Sequence, residues 1–143
     1  MLSKEFVLAG RAVFTAVNSK GERYTYRVRH KEATADYPEA WFASYLTGPD
    51  NTSDYSYIGK VDKGSGAVSL TAKSRLVETS RPLLVLRWLL KQVWEGKELP
   101  EGYAVFHMGK CGRCGRALTV PESIKNGIGP ECIKHVNPVG VLA

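Results

Sequence analysis

Residues 11–31 read "RAVFTAVNSKGERYTYRVRHK", two runs of alternating character around a short break. In the first run Val13, Thr15 and Val17 alternate with Ala12, Phe14 and Ala16. Side chains on a β-strand point by turns to its two faces, so this pattern predicts a half-buried strand. Ser19, Lys20 and Gly21 supply a hairpin turn, and "ERYTYRVRHK" is the return strand. Its two faces differ in chemistry. Tyr24, Tyr26, Val28 and His30 fall on one, which can supply a core; Arg23, Thr25, Arg27, Arg29 and Lys31 fall on the other. Four cations in a row on one strand face gain no stability from one another, which points to an anionic partner. A blander reading pairs Arg27 and Arg29 with Glu22, Glu32, Asp36 or Asp62 on a solvated surface.

Downstream, "WFASYL" and "YSYIGKV" are two more β-rich runs, separated by the turn-forming "TGPDNTSD". "DKGSG" leads by a tight turn into "AVSLTA". Ser80 and Pro82 then mark a helix start and Gly96 a stop. Between them Leu83, Leu86, Leu90 and Val93 recur at helical spacing, and Arg87, Lys91 and Glu95 form a narrow polar strip. Trp88 and Trp94 are expected to pack in the core. The whole predicts an α+β fold: an antiparallel β-meander of four to five strands, one packed helix over 81–95, and a C-terminal zinc knuckle or treble-clef-like lobe. The expected units are 1–102 and 103–143, packed together as one.

With 143 residues, 43% hydrophobic and 24% charged, the chain has the composition of a globular domain. "MLSKEFVLAG" lacks the basic start and long apolar run of a secretory signal. "PLLVLRWLLKQVW" is too short to span a bilayer and carries Arg87 and Lys91. A soluble, cytoplasmic protein with no membrane partner is therefore expected. The net charge of +6 favours anionic partners.

All three cysteines lie within "CGRCGRALTVPESIKNGIGPEC", residues 111–132. An odd number of thiols and no export signal argue against disulfides. Cys111 and Cys114 form C-x2-C with glycines at 112 and 115, which lets the backbone fold tightly around a metal. Glycine there disfavours the long helix of a thioredoxin-like redox pair. Cys132 follows Pro130, in the expected first turn of a short helix, where thiolate is favoured. The fourth ligand of a tetrahedral Zn2+ site is His107, arriving on the strand "YAVFHM", or His135, in C-x2-H spacing. A catalytic zinc is disfavoured. No H-E-x-x-H occurs, and Glu131 stands between Pro130 and Cys132, unlike the P-C-x-x-C of nucleobase deaminases.

These residues resemble the signature C-x2-C-G-R-x-L-T-x-P-x-S-I-x-x-G-I-G-P-x-C of an uncharacterised family of small zinc-binding proteins of bacteriophages and bacteria. "FTAVNSKGERYTYRVRHKE", "SYLTGPDNTSDYSYIGKVD" and "TAKSRL" are also similar to its longer members. The resemblance implies zinc binding and a bacterial-cell setting. It favours His107, because in that family a histidine commonly stands four positions before the first cysteine. It implies no particular activity.

The function expected from these features is non-enzymatic. A zinc-stabilised protein would bind nucleic acid, DNA or RNA, through Arg23, Arg27, Arg29 and Lys31 and through Lys110, Arg113 and Arg116 around the knuckle. Tyr45, Tyr55 and Tyr57 are candidates for stacking on bases. The alternative is a protein-interaction module, for instance a phage-encoded inhibitor of a host protein, using the zinc lobe or the 47–57 loop. No catalytic constellation is legible.

Overall fold

The computed structural model describes residues 2–49 and 53–107. Along the chain they form α1 (Lys4–Val7), β1 (Arg11–Val17), β2 (Arg23–Lys31), β3 (Ala40–Leu46), β4 (Tyr55–Val61), β5 (Val68–Ser69), α2 (Arg81–Trp94) and β6 (Ala104–His107). The strands make one antiparallel sheet in the order β5-β4-β3-β2-β1-β6. Strands β1 to β5 are the expected meander. After α2 the chain returns on the far side of β1, so β6 is an edge strand of the same sheet.

Two features depart from the sequence reading. The sheet has six strands rather than four or five, because the run expected to lead into a zinc lobe pairs its backbone with Phe14–Val17 of β1. The expected boundary at 102/103 thus falls just before a strand of the sheet. A second helix, α1, precedes β1. Ser3 caps it, with its Oγ accepting from the Phe6 amide at 3.2 Å. Four helical residues are too few to show a periodicity, which is why the pattern missed it.

One face of the sheet is covered. Ala12, Phe14, Tyr26, Val28, Ala43 and Ile58 are fully buried against Phe6 and Val7 of α1 and Leu83, Leu86, Leu89 and Leu90 of α2. The α2 leucines follow the anticipated spacing. The helix starts after Ser80, carries Pro82 in its first turn and stops before Gly96 at φ +67°, a conformation glycine adopts without cost. Leu84 on the outer side of α2 stays 49% exposed, so the solvent-facing side of the helix is wider than the strip of Arg87, Lys91 and Glu95.

Polar contacts pin α2 in place. Arg87 donates from Nε to the Val68 carbonyl at 3.0 Å and from its η nitrogens to Val68 and the Glu78 carboxylate. Trp94 Nε1 donates to the Lys63 carbonyl at 3.1 Å, and the Trp88 ring rests 5.2 Å from Tyr103. Both tryptophans thus pack against the core as expected.

Candidate functional site

The site grows out of the alternation in β2. Tyr26 and Val28 are buried beneath the helices, while Arg23, Arg29 and Lys31 are exposed and Arg27 half-buried on the opposite face. No element among the described residues covers that opposite face. Antiparallel register carries its chemistry across the sheet. Arg11, Arg29, Phe42 and Lys60 stand side by side on β1, β2, β3 and β4, and Val13, Arg27, Ser44 and Tyr57 form the next row. At about 4.8 Å between strands, each four-strand row spans about 14 Å.

Lys60 reaches this face because of an irregularity. Tyr57 and Lys60 are three residues apart, an odd separation that puts side chains on opposite faces of a regular strand. Between Ala43 and Ser44 the β3–β4 register shifts: Ser44 faces Tyr57 and Ala43 faces Gly59. The residue between them, Ile58, turns into the core with no exposure. The bulge thereby puts an aromatic ring and a cation on the same face.

Rings and cations touch there. Arg27 Cζ lies 4.2 Å from the Tyr55 ring centroid, and Lys60 Nζ lies 5.9 Å from that of Phe42. Phe42 and Tyr57 are 6.0 Å apart at 58°. Burial, and then the neighbouring Arg29 charge, pull the Arg27 guanidinium below its ordinary pKa; the Tyr55 ring acts in the opposite sense. Burial raises the Tyr55 phenol against the opposing pull of Arg27 and Arg29, and its buried hydroxyl has no hydrogen-bond partner among the described residues. At the sheet edge Phe106 is 58% exposed, opposite Thr15.

The six strands contain Arg11, Arg23, Arg27, Arg29, Lys31 and Lys60, and not one aspartate or glutamate. All six cations occupy open-face positions. Two of the carboxylates invoked to neutralise them are engaged elsewhere. Glu22 accepts from Arg81 and Asn18, and Asp62 accepts from the Ser65 hydroxyl and amide, which holds its carboxyl below the usual range. Arg29 enters no ion pair among the described residues.

Tyr45 is a correction to the stacking candidates. It sits opposite Tyr26 and packs against the core, one residue out of phase with the open face. Phe42, Lys60, Arg11 and Phe106 were missed. Period-two counting from Arg27 would have found Arg11 and Phe42 once the register was known; Lys60 depended on the bulge.

His107 ends β6 on the covered face, opposite Phe14, with its ring 5.9 Å from that of Phe6. Cys111, Cys114, Cys132 and His135, with Lys110, Arg113 and Arg116, lie outside the described residues.

Residues 104–137 match a family of unknown function, DUF6011. The match takes in β6 and the whole cysteine stretch and leaves β1 to α2 outside it. It agrees with the expectation of an uncharacterised family and carries no activity with it. No curated protein and no solved structure matches the chain.

A groove of about 400 Å³ also opens beside α2, walled by Tyr24, Val85, Trp88, Leu99 and Tyr103. The charged groups at its rim, Glu22 and Arg81, pair with each other at 3.4 Å. No helix among the described residues is long and apolar enough to cross a membrane.

Proposed function

We propose that this chain is a non-enzymatic, zinc-stabilised protein that binds nucleic acid through the open face of its sheet. One observation carries the reading: every Arg and Lys of the six strands lies on the face that no element among the described residues covers, and the strands themselves contain no carboxylate. Strands that carry cations and no acid, with Arg27 half-buried among them, favour a polyanion with regularly spaced charges.

Zinc belongs to the proposal through the donor set. Three thiolates from Cys111, Cys114 and Cys132 with one imidazole, His107 or His135, make a closed tetrahedral set of the structural kind. His107 is at the end of a paired edge strand, so a metal held there would tie the sheet edge to the cysteine stretch. Lys110, Arg113 and Arg116 would extend the basic surface from that side.

The test is fluorescence anisotropy of the zinc-loaded protein with labelled DNA and RNA across a salt series. Saturable binding that weakens steeply with salt is expected, with a flatter slope once Arg27 and Arg29 are replaced by glutamine. Absence of binding at low salt, or binding indifferent to salt, would refute the reading and turn the search to a protein partner.

A further inference from the structure

We infer that the ligand of the open face is an unpaired nucleic-acid strand, held with little regard to base sequence. The inference rests on the nucleic-acid reading above and narrows it.

Cations alone do not separate one polyanion from another, and it is the rings that make the distinction. Phe42 stands in one row between Arg29 and Lys60, Tyr57 stands beside it, and Tyr55 lies against Arg27. Phe106 adds a largely exposed ring at the β6 edge. Interleaved cations and rings suit a chain that alternates phosphates with flat, apolar bases. In a duplex the base faces are stacked on one another, so these rings would find nothing to receive them. A sheet face also offers no helix or narrow ribbon to enter a major groove. The matching ligand has its bases free.

Sequence tolerance follows from what the face lacks. Base identity is read by hydrogen bonds to base edges. The small polar side chains on this face are Thr15, Thr25, Ser44 and, at the β5 edge, Ser69, and the two threonine hydroxyls already bond each other at 2.7 Å. Arg29 and Lys60, which enter no ion pair among the described residues, are placed for phosphate, and every base has a face that can stack.

The experiment compares labelled 12-nucleotide single strands (oligo-dT, oligo-dA and a mixed sequence, with RNA equivalents) against the mixed sequence as a duplex. It uses the zinc-loaded full chain at two salt concentrations. Two ring variants are chosen to preserve the fold: Phe42→Leu keeps apolar bulk, and Phe106→Ala removes a ring that is mostly in water. A charge variant, Arg29→Gln with Lys60→Gln, serves as reference, and circular dichroism with thermal melting checks each protein. The single strands should bind at least tenfold tighter than the duplex and within about fivefold of one another. Each ring variant should weaken single-strand binding about fivefold or more, leaving the salt slope in place. The charge variant should lower that slope by about one unit or more. Equal binding of duplex and single strands, with the ring variants silent and the charge variant weakened, would overturn this inference but leave the nucleic-acid reading standing. Failure of every oligonucleotide to bind would remove both.

Discussion

Tyr26 shows how one residue can serve core and architecture together. Its ring is fully buried beside Phe14, and its hydroxyl donates to the Pro82 carbonyl at 2.8 Å, which fixes the start of α2 over the centre of the sheet. Burial, followed by the nearby Tyr24, pushes its phenol well above the ordinary value of 10.0. The folded chain therefore keeps the proton that the unfolded chain gives up near that pH, so this stability is complete below pH 10 and is lost as pH rises. Tyr26→Phe should cost about 1 kcal/mol at neutral pH through the lost hydrogen bond. That deficit should shrink above pH 10, where the wild type pays the linkage and the variant does not. Urea melts at pH 7 and in alkali check both statements.

Strand β4 carries the most consequence of any element. Its bulge buries Ile58 and lets Tyr57 and Lys60 share a face, and its Gly59 lies against the backbone of the β5 edge. A Cβ at position 59 would overlap the Ser69 carbonyl, and a backbone atom cannot swing away as a side-chain tip can. Gly59→Ala is expected to destabilise the fold by about 1–3 kcal/mol and to loosen β5 first. Hydrogen exchange should find the amides that pair β4 with β5 losing protection before those of β1 and β2. The two-residue β5 itself shows how context limits a pattern: of the run "AVSLTA" that follows the tight turn, only Val68 and Ser69 pair. In α2, by contrast, Ser80, Pro82, the leucine spacing and Gly96 marked the element closely, because a helix is specified by contacts within itself.

For the whole molecule, β6 ends at His107, four residues along the chain before Cys111. If Cys111, Cys114 and Cys132 hold zinc with His107, chelation should lower the melting temperature, since metal binding at a structural site is folding energy. Cys132→Ser should do the same, and zinc stoichiometry measured in His107→Ala and His135→Ala separately should fall in only one of them. Phosphate affinity should track net charge on the open face, with Arg29→Glu weakening binding more than Arg29→Gln. Much of the sheet was legible from residues 11–31. Period-two alternation separates Tyr26 and Val28 from Arg27 and Arg29 whatever the strand's neighbours, because the alternation belongs to the extended backbone itself. Helix α2 and the metal-like spacing of the cysteines are local in the same sense. Which strands lie side by side is not local. That Arg11, Arg29, Phe42 and Lys60 form one row, that Tyr45 faces the core, and that β6 closes the sheet beside β1 all follow from pairing between distant segments. A single bulged residue reverses the facing of everything beyond it, and no count along one strand reveals where its partner will shift.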